Sequence, residues 1–133
     1  MEIAWQLAQL STCARRSVGC VLTDSRDRII AVGYNGVPSG IVHCTVEPCP
    51  GVLEKPGEGL DVCRAVHAEQ NAITVCEKPF EIAAAYVTSS PCVHCIKILM
   101  NTSCGQIFYK EDYPHPRAKD LWLHAGREWI RLE

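Results

Sequence analysis

The sequence lacks any apolar run approaching the roughly 20 residues that a bilayer-spanning helix requires. Its opening, MEIAWQLAQL, lacks the basic region of a secretory leader. The expectation is an intracellular, cytoplasmic protein with no membrane partner. Positive charge is not in surplus either. Thirteen Lys and Arg against fifteen Asp and Glu leave a net charge of −2, which gives no general attraction to nucleic-acid phosphates and restricts any anion recognition to a local basic site. Internal repeats and low-complexity tracts are also missing. A chain of 133 residues with these traits reads as one globular domain, 1–133.

What is abundant is cysteine. Nine in 133 residues would suggest a disulfide framework in a small secreted chain, but without a leader they point to metal binding or catalysis. Their odd number forbids complete internal pairing. Cys20, Cys76 and Cys104 lie inside apolar segments and read as small buried hydrophobes. Cys92 and Cys95 form a tight pair. Cys13, Cys44, Cys49 and Cys63 are spread over the first half.

Residues 2–12 place Ile3, Leu7 and Leu10 on one helical face, with Ala4 and Ala8 beside them. Residues 18–23 and 28–33 read as strands joined by the polar turn Asp24-Ser25-Arg26-Asp27, hence a hairpin. From 34 to 62 the periodicity fails. Pro38, Pro48, Pro50, Pro56 and five glycines interrupt it, and a loop of that length is normally functional or tied down by something other than a core. Residues 67–76 then read as a helix, 83–88 as a strand, and 91–100 as a helix opened by proline. A strand at 106–109, a helix at 118–124 stopped by Gly126 and a last short strand at 129–132 follow. Strands joined through helices run parallel. The expected architecture is a three-layer α/β/α fold with a mixed five-stranded sheet.

The chemistry concentrates in His67-Ala68-Glu69, Pro91-Cys92 and Cys95. One His and two Cys suit zinc, and three protein ligands leave a fourth position open, as in catalytic sites. Cys92 and Cys95, three apart at a helix start, share a face, and the positive end of a helix favours thiolates. His67 also opens a helix. Glu69 stands beside that open position without needing to be a ligand. A C-x-x-C alone reads equally as a redox pair or half of a structural zinc site, and an H-x-E alone says little. In this order, each at a helix start, they are far more specific. His94, between the two cysteines, projects differently and reads as a non-ligand.

H-x-E…P-C-x-x-C is the signature of zinc-dependent nucleobase deaminases. The sequence resembles the deoxycytidylate (dCMP) deaminase family of the cytidine deaminase superfamily across most of its length. The matching pieces are STCARRSVGCVL (11–22), GYNGVPSG (33–40), VHC (42–44), CRAVHAEQNAI (63–73) and TSSPCVHC (88–95). GYNG is the most discriminating short match. The resemblance implies hydrolysis of dCMP to dUMP and ammonia, a step in deoxynucleotide supply, with Glu69 as proton shuttle. It implies that Asn35 bonds the deoxyribose, that Tyr113 packs near the base or sugar, that the backbone at Ala68 and Ser89–Ser90 meets the pyrimidine edge, and that Arg15, Arg16 and Ser17 lie near the 5′-phosphate. It also implies an effector site at Gly33, Tyr34, Asn35 and Gly36, with dCTP activating and dTTP inhibiting, accompanied by Mg2+, in a homo-oligomer with a hexamer favoured.

Cys13, Cys44, Cys49 and Cys63 are expected to hold a second, structural zinc that fixes the long loop, with His43 as a substitute ligand. The competing readings within the same fold are action on dCTP, on tRNA adenosine or on a riboflavin precursor. A non-catalytic, zinc-stapled binding module is the alternative of a different class. Glu69 argues against that module, since a structural site has no use for a carboxylate beside an open coordination position.

Overall fold

The computed structural model describes residues 1–133. Its elements are α1 (Glu2–Ala8), β1 (Gly19–Thr23), β2 (Ile29–Tyr34), α2 (Ala68–Val75), β3 (Ala84–Ser89), α3 (Val93–Met100), β4 (Gln106–Glu111), α4 (Pro116–His124) and β5 (Glu128–Arg131). The five strands form one mixed sheet in the order β2-β1-β3-β4-β5. β1 pairs antiparallel with β2 and β3, whereas β3, β4 and β5 run parallel, as the intervening α3 and α4 require. The β1–β2 hairpin is tied by Asp24, whose Oδ1 accepts from the amides of Arg26 and Arg28 while Oδ2 accepts from Arg28 Nε. No helix is long and apolar enough to cross a membrane.

One helix covers one face of the sheet and three cover the other. α1 lies over Gly19, where a Cβ would stand 1.9 Å from the carbonyl oxygen of Ala4. That closeness corrects the expected face of α1. Ala4 and Ala8 are the buried residues, while Ile3 and Leu10 are exposed, because only small side chains fit where the helix backbone meets a glycine. On the opposite face, Leu22, Val87 and Ile107 pack with Ile96 and Leu99 of α3 and Trp122 of α4 in a core that excludes water completely from these side chains. Cys20 and Cys104 join that core. Cys76, the C-cap of α2, packs against it but is only partly buried.

Residues 35–67 contain no strand and no α-helix, only a short 3-10 turn at Pro50–Leu53 and an isolated bridge between Gly36 and Val66. α4 begins two residues earlier than its apolar pattern suggests, with Pro116 at its first position, where the missing amide costs nothing. Arg127 closes the far end of α3 by donating to the carbonyls of Leu99, Met100 and Cys104.

Candidate active site

The parallel strands β3 and β4 end on the same side of the sheet, and ligands in open α/β sheets bind outside such carboxyl ends. Here the segment before β1, the end of β2, the starts of α2 and α3 and the segment after β4 all converge. They enclose a cavity of about 250 Å3 lined by Arg15, Arg16, Asn35, His67, Ala68, Glu69, Ser89, Ser90, Cys92 and Tyr113 among others.

Two helix N-termini aim at its floor. His67 is the N-cap of α2, and its amide donates to Gln70 Oε1 at 2.9 Å. Cys92 is the N-cap of α3, with Cys95 one turn on. The Nδ1 of His67 lies 3.2 Å from Cys95 Sγ and 3.4 Å from Cys92 Sγ, and the three donor atoms lie within 4.8 Å of one another. A tetrahedral zinc with bonds of about 2.0 Å to nitrogen and 2.3 Å to sulfur needs nitrogen–sulfur separations of about 3.5 Å. The donor set therefore fits zinc in type and spacing and leaves a fourth direction free. A hydrogen bond from Cys95 lowers the Cys92 thiol well below its ordinary range, while the same bond and burial raise that of Cys95. His67 is raised by its bond to Cys92. His94 is exposed and stands outside the cluster.

Glu69 is 4% exposed and lines the same cavity. Burial raises its carboxyl to about 6, against the lowering influence of His67. A carboxyl with that affinity can both take up and release a proton near neutrality.

The other expected residues divide. Ala68, Ser90 and Tyr113 line the cavity. Ser90 is held at both ends: its amide donates to Glu111 O at 2.8 Å and its Oγ accepts from the Tyr113 amide at 2.7 Å. Asn35 also lines it, but its amide group is already engaged. Oδ1 accepts from the Val18 amide at 2.8 Å and Nδ2 donates to Arg16 O at 2.7 Å. Arg16 sits 4.3 Å above the Tyr113 ring, and its Nη1 is buried without a partner. Ser17 is exposed and lies outside the cavity lining.

GYNG carries fold constraints of its own. A Cβ on Gly33 would stand 2.4 Å from Ala68 O and 2.5 Å from Ala72 N, and one on Gly36 would stand 2.4 Å from Thr12 Oγ1. Tyr34 is exposed at the sheet edge, where its carbonyl accepts from Asn71 Nδ2.

The four remaining expected ligands gather in one region. The Cys49 amide donates to Cys44 Sγ at 3.3 Å. Burial opposes ionisation of Cys49, yet the amides of Arg64 and Gly51 and the thiols of Cys44 and Cys63 bring it below the ordinary thiol value. Cys13 is raised by burial, with Cys63 and Cys44 close enough to add to the effect. The four sulfurs do not close into a group as tight as His67, Cys92 and Cys95, and His43 is exposed.

Sequence reasoning missed His115. Its Nδ1 accepts from the Val93 amide at 3.2 Å, satisfying a free amide at the start of α3, and its ring stacks on Tyr113. No local pattern marks a contact across 22 residues.

Residues 1–111 match the family described as the cytidine and deoxycytidylate deaminase zinc-binding region. The chain is similar to the deoxycytidylate deaminase of Mycobacterium phage D29, 36% identical over 119 residues, covering 84% of this chain and 91% of that protein. It is similar to ComE operon protein 2 of Bacillus subtilis at 40% identity, covering 90% of this chain and 62% of that protein. The deoxycytidylate deaminase of Schizosaccharomyces pombe is 35% identical, and the match covers 36% of its length. This chain thus spans less than two thirds of the latter two relatives. Among solved structures, the dCMP deaminase of cyanophage S-TIM5 in complex with dCMP and dUMP superposes with a TM-score of 0.76 at 27% identity, covering 98% of this chain and 92% of that one.

Proposed function

The chain belongs to the cytidine and deoxycytidylate deaminase family, and we propose that residues 1–133 form a zinc-dependent domain that hydrolyses dCMP to dUMP and ammonia. The observation that carries this reading is Glu69, buried in one cavity with the His67, Cys92 and Cys95 donor set. The phage deoxycytidylate deaminase and the dCMP- and dUMP-bound cyanophage structure support the choice of substrate.

His67, Cys92 and Cys95 would hold the zinc, which supplies a water acidified toward neutrality as the nucleophile. Glu69 takes a proton from the attacking water and passes it to the ring nitrogen as the water oxygen bonds to the amino-bearing carbon. It then transfers the second proton to the amino nitrogen, the carbon–nitrogen bond breaks, and ammonia leaves. The raised carboxyl of Glu69 suits both directions of transfer. The backbone at Ala68 and Ser89–Ser90 borders the pyrimidine edge, Asn35 the deoxyribose and Arg16 the 5′-phosphate. The planar Arg fork with a buried unused donor suits a phosphate oxygen.

The finer parts of the reading are these. Cys13, Cys44, Cys49 and Cys63 draw together around a second zinc, so that fully loaded protein contains two zinc ions per chain by elemental analysis. One ion per chain contradicts it. The enzyme works in the cytoplasm as a homo-oligomer, with a hexamer favoured. Gly33 to Gly36 contribute to a site for dCTP and dTTP with Mg2+. A second substrate reading, dCTP alongside dCMP, differs only in phosphate number.

The test is ammonia release from dCMP, CMP, dCTP and deoxycytidine, each with and without the triphosphate effectors. Turnover is expected chiefly with dCMP, with deoxycytidine a weak but measurable substrate that lacks the phosphate contact. Comparable turnover of dCTP replaces the reading with a dual-specificity enzyme. Turnover of none by zinc-loaded protein removes the dCMP assignment.

A further inference from the structure

Arg15 and Arg16 are adjacent in sequence and both face the cavity, but their guanidinium groups are spent differently. Arg16 keeps Nη1 buried and unpartnered over the Tyr113 ring. Arg15 turns its Nη2 to the backbone of the loop across the cavity mouth, donating to Lys55 O and to Glu58 O. Nη2 has two hydrogens, so both are used. From the other side of the mouth, the Gly57 amide donates to the Tyr113 hydroxyl at 3.0 Å. Gly57 also approaches Pro114 so closely that a Cβ would stand 2.9 Å from its carbonyl oxygen.

Residues 54–60 therefore bridge the two walls of the cavity and contribute Glu54, Pro56 and Leu60 to its lining. The loop has little of its own to hold it there. Glu54, Lys55, Pro56 and Glu58 are exposed. Gly57 and Gly59, at φ of +84° and +64°, allow the chain to double back in a conformation that other residues resist. A segment with few buried apolar contacts opens at low cost, so its position depends on its polar fastenings.

We propose that residues 54–60 are a lid on the substrate cavity, that Arg15 and the Tyr113 hydroxyl are positioning groups that fasten it, and that Arg16 alone meets the substrate's phosphate. The lid and its fastenings stand on the geometry, while the role of Arg16 and the kinetic arm rest on the deaminase reading. It divides two adjacent arginines into different roles and moves Tyr113 from base packing to holding the lid.

The roles separate by comparing dCMP with deoxycytidine, which lacks the phosphate. Arg16→Ala removes a phosphate contact, so kcat/KM falls far more for dCMP than for deoxycytidine and their ratio drops. A hydrogen bond involving a charged group is worth about tenfold to a hundredfold in an equilibrium, and a loss of that size is expected. Arg15→Ala loosens the lid, so kcat/KM falls for both substrates by the same factor, leaving their ratio as in wild type. Tyr113→Phe keeps the ring beneath Arg16 and removes only the hydroxyl, and it too leaves the ratio unchanged. Hydrogen exchange supplies a readout independent of turnover: the amides of 54–60, and that of Gly57 above all, exchange faster in Arg15→Ala and in Tyr113→Phe, while those of α2 and α3 do not. A loss in Arg15→Ala confined to dCMP overturns the division of roles. Unchanged exchange at 54–60 in both variants overturns the lid. A wild type that turns over neither substrate sinks the deaminase reading, and the exchange experiment still decides the lid.

Discussion

Gly33→Ala is the perturbation whose effect follows most directly from the geometry. The added methyl would lie 2.4 Å from Ala68 O, 2.5 Å from Ala72 N and 3.0 Å from Ala72 Cα. All three are backbone atoms of α2, so no side chain can swing aside. An ordinary carbon contact needs about 3.5 Å, and the helix must retreat from β2 by about 1 Å. Overpacking of this kind costs about 1–3 kcal/mol, which for a domain of this size lowers Tm by about 4–12 °C. The cost to activity is larger in proportion. α2 begins at His67 and carries Glu69, and a displacement of about 1 Å in a catalytic group costs on the order of a hundredfold in rate. The assay is Tm by scanning calorimetry, zinc content and ammonia release from dCMP, all without nucleoside triphosphates. Falls in both Tm and turnover are expected. A variant with wild-type Tm and wild-type turnover refutes the argument and leaves the glycine with only an effector role.

Trp122 is fully buried and donates from Nε1 to Glu128 O at 2.8 Å. Trp122→Ala should lower unfolding free energy in urea by about 3–5 kcal/mol, and Trp122→Phe by less, since it keeps most of the buried ring and loses only part of its volume and the bond to Glu128 O. Asp24 is held below the usual carboxylate range first by the Arg28 amide, with Arg26 and the Arg28 side chain adding to it. A lowered native carboxyl contributes stability that is whole above the unfolded value of about 4 and drains away as pH falls through the native one. Asp24→Asn therefore loses stability at pH 7 and shows a flatter acid limb in unfolding curves taken below about pH 4. A limb as steep as wild type contradicts this. Removal of metal by a chelator should abolish turnover, and added Zn2+ should restore it; activity that survives complete zinc loss counts against the site.

Much of this was legible in the sequence, and the exceptions share a cause. The hairpin, the parallel strands after it and the helix starts at His67 and Cys92 announce themselves through local chemistry, polar turns and a Cys pair at helical spacing. Pro91, expected at the first helical position, instead precedes the N-cap Cys92, and α3 begins at Val93. The irregular 35–67 segment was visible as a failure of periodicity. What stayed hidden depends on contacts distant along the chain. The apolar stripe of α1 suggests Ile3 and Leu10 inside, but the close approach at Gly19 selects Ala4 and Ala8. Ser17 sits in the same basic loop as Arg16, yet it is exposed and outside the cavity lining. Arg15 looks like a second phosphate ligand until the carbonyls of Lys55 and Glu58 are found on its Nη2. His115 carries no motif at all, and only the fold brings it to the Val93 amide.

The central claim is that Glu69 moves protons in the hydrolysis of dCMP beside a zinc it does not hold. The decisive measurement is dUMP formation from dCMP by wild-type protein and by Glu69→Gln, each with zinc content determined on the same sample. The account predicts that Glu69→Gln retains the zinc bound by His67, Cys92 and Cys95 and loses at least about a hundredfold to ten-thousandfold in turnover. Wild-type turnover in zinc-loaded Glu69→Gln would contradict it.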